Sequence, residues 1–427
     1  MMVILLAWIH EISLVILTAG ICGLRLVRLK NMWLYFIILV IILGFFLVEF
    51  NFNNIAKDAS SIGFTRGYVA FYPHKVSYGG WDVVLYSHND DRLIYMYTVA
   101  NLNVNIDDEI VANCKASLNE DNKYSYYGVN YVLDNCKIKK DEQNKSTSII
   151  KLAADLRTFL MNRIDNIFKG STANFIKGIL IGETDGISKY QIDDYKNAGI
   201  LHIMAVSGFN MSLMHKLISV FIKRLQRWPR WIISILLLFV YQLIVGLDNI
   251  PALRSFICFC LIDFALLIGR RPNLVYISMI AALVLILIYP RIYLSVSYQL
   301  SVAAGFAMTI NLKRVQQSIV IFLFIAPVMA FHFGEINVIG LLSNIILLPL
   351  ISPITYISIF EIVNPLAPTS VAQLNAFLIN ILNQATAVLA KAPPLNISSG
   401  NLIQPIFMTF ALLIFIMVVI SNYQKNL

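Results

Sequence analysis

Charged residues are scarce in this sequence. Asp, Glu, Lys and Arg make up 13% of its 427 residues, whereas 58% are hydrophobic. That balance excludes a soluble globular protein of ordinary composition. Apolar runs of about 20 residues, the length that spans a bilayer, recur along the chain. The sequence therefore predicts a polytopic α-helical membrane protein.

Signatures of the common catalytic sites are also missing. There is no Walker lysine loop, HExxH or HxHxDH motif, and Ala-Val-Ser207-Gly-Phe does not match the GxSxG nucleophile elbow. His202, His215 and His332 are too scattered to indicate a metal site. We therefore expect a protein that is not an enzyme and that needs neither a metal nor another cofactor.

Cysteine is rare and forms neither a CxxC pair nor a Cys/His metal spacing. Cys22, Cys258 and Cys260 lie in apolar runs and are predicted to be buried thiols. Cys114 and Cys136 lie in a polar segment and can pair if that segment faces an oxidising compartment. The first apolar run lacks a preceding basic region and a following cleavage site, so it is not predicted to be a cleavable signal.

The alternation of apolar and polar segments predicts four parts. They are two transmembrane helices in 1–49, a β domain in 50–146, an amphipathic interfacial helix in 147–170 and a larger membrane domain in 171–421. Arg25, Arg28 and Lys30 lie between the first two helices and place that loop in the cytoplasm. The β domain is therefore expected on the extracytoplasmic side of the membrane.

The inserted segment has the β-branched and aromatic runs of a small all-β domain. Runs separated by Gly, Pro, Asn and Asp predict strands at 64–72, 81–87, 92–99, 109–117 and 128–139. Five strands in one short segment suit a small barrel, and an OB-like barrel is our specific expectation. Its aromatic side chains either stack on the bases of a single nucleic-acid strand or fill the barrel core.

The net charge of +9 is unevenly distributed. Residues 50–150 contain 10 Lys or Arg and 12 Asp or Glu, so the positive excess lies in the loops between membrane segments. The positive-inside rule explains this distribution. A basic surface that binds nucleic acid is the alternative, and the charge count does not require it.

An unusually polar stretch interrupts the apolar sequence at 178–214. Ser188 and Gln191 form a capping box at a helix start. The run 201–221 that follows is predicted to be one membrane helix. Its candidate functional residues are His202, Ser207, Gly208 and Asn210. Because polar groups at membrane depth are costly unless they face protein or water, these residues line either a packing seam or a pore.

Three later membrane segments also contain polar clusters. In the first, Pro251 suits the first turn of a helix, and Arg254 either pairs with Asp248 or faces an anionic phosphate backbone. The second contains Gln299 and Ser301. The third contains Asn344, followed by Pro349 and Pro353, where we expect a broken or re-entrant helix.

In this order, the four clusters resemble the motifs of the ComEC family of bacterial competence membrane proteins. The family motif LLLGD…F…G…HLLAISGLH is similar to GILIGETDG…YKNAGILHIMAVSGFN here, and its G…P…R motif to Gly246…Pro251…Arg254. Its FQLSFLA-like motif resembles YQLSVAA at 298–304, and its FG…N…P motif resembles Phe333-Gly334…Asn344…Pro349. The resemblance covers residues 170–360, and the layout of 1–150 agrees with it.

The resemblance implies a competence-type channel in the bacterial inner membrane that passes one strand of transforming DNA into the cytoplasm. It implies as partners single-stranded DNA, the lipid bilayer, a DNA receptor, a cytoplasmic helicase or ATPase and a separate nuclease. The resemblance does not decide whether the protein forms a homo-oligomer. In relatives the external OB-like domain carries a disulfide, for which Cys114 and Cys136 are the candidates.

This sequence departs from the family pattern in two ways. Asn210 stands where the family has a histidine. The metallo-β-lactamase-like domain of larger relatives is also not found, so we expect another chain to degrade the second strand.

We expect the DNA path to be lined by polar residues from all four clusters. They are His202, Ser207, Gly208, Asn210, Asp248, Arg254, Gln299, Ser301 and Asn344. An alternative from another class is a membrane enzyme or small-solute transporter that uses Glu183, Asp185 or His202. A non-functional relic is the third interpretation.

Overall fold

A computed structural model of the protein describes residues 64–75, 80–87, 92–98, 106, 108–118, 131–140, 149–204, 206–289, 292–310, 312–364, 366, 368–392 and 395–396. The chain divides into two units, Met1–Asp58 and Ala59–Leu427, and all of these residues belong to the second. The predicted helices in 1–49 and residues 397–421 of the predicted membrane domain lie outside the described residues.

Six strands form one sheet at the start of the described chain. They are β1 (Phe64–Val69), β2 (His74–Lys75), β3 (Trp81–Ser87), β4 (Arg92–Thr98), β5 (Glu109–Leu118) and β6 (Tyr131–Lys140). The strand order is β1-β5-β6-β4-β3-β2, and β1 also pairs with β3, so five of the strands close into a ring. The β4–β6 pair is parallel and the other pairs are antiparallel. The five predicted strands are confirmed.

Aliphatic side chains fill the interior of this sheet. Val83 and Leu85 on β3, Met96 on β4 and Ile110 on β5 are at most 1% exposed. Successive side chains of a strand point to opposite faces, which places Val83 and Leu85 on the same side. Among the aromatic residues of the segment, Tyr72 is buried against Ala154 of the helical part instead of lying inside the sheet.

Twelve helices follow among the described residues. They are α1 (Ile149–Ile167), α2 (Gly170–Ile181), α3 (Lys189–Asn197), α4 (Leu201–Met204), α5 (Gly208–Ile222), α6 (Arg227–Val245), α7 (Ile250–Leu267), α8 (Leu274–Ile288), α9 (Val296–Met308), α10 (Arg314–Phe333), α11 (Ile339–Val363) and α12 (Thr369–Leu389). A 3₁₀ turn, Ile292–Leu294, precedes α9. The short strands β7 (Glu335–Ile336) and β8 (Leu395–Asn396) pair with each other.

Four of the described helices are long and apolar enough to cross a membrane: α6, α7, residues 315–333 of α10, and α11. The apolar helix α8 is shorter. Leu236, Phe264, Leu287 and Phe331 are among the large apolar side chains that these helices expose. Such surfaces suit contact with lipid, and the helical part is consistent with a multi-pass membrane protein.

Helix α1 exposes several of its large apolar residues. Ile149, Leu152 and Phe159 are more than half exposed, whereas Ala154 and Arg157 are buried against the rest of the protein. An exposed apolar face on a helix that also carries charges is typical of a helix at a membrane surface.

The membrane helices differ from prediction at two places. The run 201–221 is not one helix, because α4 ends at Met204 and Ser207 is extended (φ −100°, ψ 172°) before α5 begins. Ser207 is the N-cap residue of the new helix, and its extended backbone separates α5 from α4. The expected break in α11 is also absent, since the helix continues through Pro349 and Pro353. Membrane helices tolerate proline where neighbouring groups satisfy the released backbone.

Candidate functional site

The start of α5 brings backbone N–H groups to the centre of the polar cluster that the sequence highlights. Ser207 is its N-cap residue, and the Ser207 side chain does not cap the helix. Its Oγ has no hydrogen-bond partner in the described part of the chain. The first N–H groups of a helix lack partners within the helix and give that end a partial positive charge. The start of α5 therefore favours a negative group.

Asn210 lies in the first turn of α5 and is 2% exposed. Its Nδ2 donates to the carbonyl oxygen of Ile179 on α2 at 2.9 Å. Its Oδ1 is buried and has no hydrogen-bond partner among the described residues. Asn210 therefore connects α5 to α2 and retains one unused acceptor.

Arg254 lies one turn into α7 and is 8% exposed. Its Nε donates to Ser301 Oγ on α9 at 2.8 Å, and its Nη1 lies 3.8 Å from Cys258 Sγ. A methyl group added to Gly305 would lie 2.4 Å from Nη1. The guanidinium therefore fits here only because residue 305 is a glycine.

The guanidinium of Arg254 also lies beside the start of α5. A methyl group added to Gly208 would lie 3.8 Å from Arg254 Nη2 and 2.4 Å from Ser255 Oγ. The structure thus brings together Ser207, Gly208, Arg254 and Ser301, which come from three helices and the turn before α5. We call these four residues the Arg254 cluster.

No carboxylate pairs with Arg254 in the described part of the chain. The ion pairs found there are Arg157–Glu183, Lys177–Asp165 and His215–Asp263. Asp248, the partner that the sequence suggested, lies instead close to Gly246 and Tyr72. A buried cation is stable only when an anion or several hydrogen bonds compensate it. The Arg254 cluster is therefore short of negative charge.

The other predicted site residues lie outside the Arg254 cluster. Gln299 donates from Nε2 to the Tyr293 carbonyl at 2.9 Å, and its Oε1 is 2.8 Å from His332 Nε2. Asn344 is half-buried on α11, and its Oδ1 has no partner among the described residues. His202 lies on α4 and is exposed. Both the nitrogen and the oxygen of the Gln299 side-chain amide therefore already have hydrogen-bond partners.

Sequence reasoning missed a buried cation on α1. Arg157 is 5% exposed, and its Nη1 donates to the carbonyls of Ile181 and Ile244 at 2.9 and 2.7 Å. Its Nη2 is 3.0 Å from Glu183 Oε2, and its Cζ lies 4.4 Å from the Tyr72 ring centre. An arginine within an amphipathic helix was the only local signal.

Tyr72 extends this connection to the sheet. Its hydroxyl donates to the Leu243 carbonyl at 3.1 Å. Burial raises the pKa of the Tyr72 phenol to about 12, and the nearby Arg157 charge opposes that increase. Tyr72 and Arg157 together attach the sheet and α1 to the ends of α2 and α6.

A second polar contact, also outside the predicted site, joins α5, α6 and α7. His215 Nε2 on α5 lies 3.1 Å from both carboxylate oxygens of Asp263 on α7. Ser234 on α6 donates to Asp263 at 2.7 Å, and the His215 ring stacks on Phe259.

Among the described residues there is no group of three or more His, Cys, Asp or Glu side chains arranged to hold a metal ion. The predicted Cys114 and Cys136 lie on β5 and β6, strands that pair around an irregularity between Asn113 and Lys115. Their side chains are outside the described parts of the structure, so their pairing stays a prediction.

Comparison with known proteins gives one family and one relative. The family model described as "Competence protein" matches residues 179–422, more than half of the chain. An uncharacterized protein of Mycoplasma genitalium, MG316, is 28% identical over 207 residues. That alignment covers 46% of this chain and 53% of the relative, so the chain spans about half of the relative's length. No solved structure gives a significant match.

Proposed function

Since the chain belongs to the competence protein family, we propose that it carries single-stranded DNA across the bacterial inner membrane during natural transformation. Family membership itself indicates a role in DNA uptake. The identity of the transported strand, the membrane and the path through the protein are the parts that we add.

The main support for this proposal is the buried charge of Arg254, which pairs with no carboxylate among the described residues. A protein that transports a polyanion needs positive charge inside the membrane, where charged side chains are otherwise rare. The Arg254 guanidinium is buried between α7 and α9, next to the start of α5, and no described carboxylate neutralises it. A phosphate group would supply the missing negative charge and accept hydrogen bonds from the guanidinium.

The neighbouring polar groups suit a mobile ligand. Ser207 Oγ can donate to a phosphate and Asn210 Oδ1 can accept from a base amino group, and both atoms are buried without partners among the described residues. Uncharged groups of this kind bind a passing strand weakly enough to release it, which conduction requires. We include Gln299 and Asn344 in the path as side chains further along it.

The positions of the basic residues support the proposed orientation. Lys223 and Arg227 lie at the end of α5 and the start of α6, and Arg270 and Arg271 follow α7. The positive-inside rule assigns these loops to the cytoplasm. Tyr72 bonds to Leu243, at the opposite end of α6. The β domain would then lie on the extracytoplasmic side, close to the Arg254 cluster.

We further propose that the β domain is an OB-type barrel that receives the strand. The support is the ring of five strands with one parallel pair, in a fold class whose members bind oligonucleotides. Trp81 and Tyr97 are part-exposed aromatic residues that suit stacking on bases. The slightly acidic segment favours brief contacts over tight phosphate binding.

The same arrangement favours transport over catalysis. Glu183, one of the residues considered above for a membrane enzyme or small-solute transporter, is held by Arg157, which suits a structural role. We therefore propose a channel without enzymatic activity of its own. A DNA receptor, a cytoplasmic motor and a separate nuclease remain its proposed partners.

A transformation assay tests this function. The chain would replace the family member of a naturally transformable bacterium, and transformants would be counted at matched protein level. Arg254→Gln should lower the frequency at least tenfold, as expected for the loss of a charged hydrogen bond worth about 1.5–3 kcal/mol. Arg270→Gln removes the same charge from an exposed loop and should leave the frequency unchanged. Equal frequencies for both variants would contradict the proposed role of Arg254.

A further inference from the structure

A carboxylate is buried between the last two described helices. Glu361 lies in the last turn of α11 and is 2% exposed. Asn375 on α12 and Ser358 on α11 pack beside it and are both 0% exposed. Asn375 Nδ2 donates to Glu361 Oε2 at 2.8 Å and to Ser358 Oγ at 2.9 Å. Asn375 thus orients the carboxylate.

Two oxygen atoms of this group are left without a partner among the described residues: Glu361 Oε1 and Asn375 Oδ1. Both are acceptors, so neither can satisfy the other. Ser358 Oγ cannot supply a hydrogen atom, because it already donates to the Ile354 carbonyl at 2.8 Å. An unsatisfied buried acceptor is costly, and an unpaired buried charge is more so.

The described protein groups do not neutralise Glu361. It takes part in none of the ion pairs found among the described residues. On the neighbouring helix α1, Arg163 reaches the end of α11, but its Nε donates to the Ile362 carbonyl at 3.1 Å and not to Glu361. The environment therefore needs a positive charge that binds to oxygen atoms.

We propose that Glu361, Asn375 and Ser358 form a binding site for a monovalent cation, either a proton or Na⁺. The available ligands are oxygen atoms, which hard cations prefer. The site has one carboxylate, so a monovalent cation makes it neutral, whereas a divalent cation would leave a net charge in an apolar interior. The site lies on α11 and α12, separate from the Arg254 cluster, and does not depend on the proposed DNA transport.

The test is carbodiimide labelling of the purified full-length protein, because a hydrophobic carbodiimide reacts with a protonated carboxyl in apolar surroundings. Mass spectrometry would compare Glu361 with Glu335, a part-exposed carboxyl in the same chain. Buffers from about pH 5 to about pH 9 would contain either NaCl or N-methylglucamine chloride at equal ionic strength. Labelling of Glu361 at neutral pH that Na⁺ does not change indicates a bound proton. Labelling that Na⁺ suppresses indicates a Na⁺ site.

Thermal unfolding gives a second measurement. If Na⁺ binds, it should raise the Tm of the unmodified protein by about 2 °C relative to N-methylglucamine. The isosteric variant Glu361→Gln should lose both the labelling and any Na⁺-dependent shift. The proposal is overturned if, without Na⁺, Glu361 is labelled no faster than Glu335 at every pH. Because neither readout involves DNA, failure here would leave the proposed DNA transport untouched.

Discussion

Gly305→Ala is the substitution whose effect is most closely determined by the structure. The added methyl group would lie 2.4 Å from Arg254 Nη1 and 2.8 Å from Cζ. Ordinary contacts need about 3.5 Å, so the guanidinium must move by about 1 Å. It is held by the 2.8 Å hydrogen bond to Ser301 Oγ, which such a shift would break. The variant therefore displaces Arg254 without changing its charge.

The size of the effect follows from the contact that a displaced guanidinium loses. A hydrogen bond to a charged group is worth about 1.5–3 kcal/mol, which corresponds to about 10- to 100-fold weaker binding of single-stranded DNA. Each phosphate contact also contributes about 0.7 to the slope of log affinity against log salt concentration. Gly305→Ala should reduce that slope by this amount. Stability should fall modestly, because the lost hydrogen bond between Arg254 and Ser301 is worth about 1.5–3 kcal/mol and the preference of a helix for alanine over glycine returns only about 0.5–1 kcal/mol.

The assay is fluorescence anisotropy with labelled single-stranded DNA and the protein in nanodiscs, repeated over a range of salt concentrations. Gly178→Ala is the matched control, because its methyl group would meet only the flexible end of Met204 within 3 Å, at 2.5 Å. It should bind DNA with the affinity and slope of the unmodified protein. If Gly305→Ala also kept both values, Arg254 would not contact phosphate and the reasoning would fail.

Three further predictions concern stability and covalent structure. Arg157→Ala should destabilise the protein by about 2–3 kcal/mol, since it leaves the part-buried Glu183 carboxylate and two carbonyls without their donor; an unchanged Tm would contradict this. Gly199→Ala should destabilise more than Gly170→Ala, because both glycines have positive φ (72° and 59°) but only Gly199 approaches another backbone; equal thermal unfolding curves would refute that contact. Thiol labelling without reductant should miss both Cys114 and Cys136, and labelling of both would disprove their disulfide.

The sequence predicted correctly those features that depend only on residues close together in the chain. Ser188 caps α3, and its Oγ accepts from the Gln191 backbone as the capping box predicts. Pro251 lies in the first turn of α7, where its missing N–H has no cost. The strands were predicted correctly because the β-branched and aromatic side chains of each strand and the turn residues beside it lie within one short segment.

Other features depend on parts of the chain that are far apart or on small differences in energy. The contact of Arg157 with Tyr72 and Glu183 joins three separate segments, so no pattern within one segment reveals it. The turn before α5 was missed because its residues are apolar enough to continue a membrane helix. The continuity of α11 was missed because two prolines are tolerated when the surrounding protein compensates for them.

The central claim is that this protein passes a single DNA strand through the membrane, and entry of labelled DNA tests it most directly. Duplex DNA labelled on both strands would be given to a transformable bacterium that carries this chain in place of its own family member. The label that reaches the cytoplasm in nuclease-protected form would then be measured. The account predicts single-stranded label in the cytoplasm and its loss with Arg254→Gln at equal protein level. Label no higher than in cells without the chain, although the protein is present in the membrane, would contradict it.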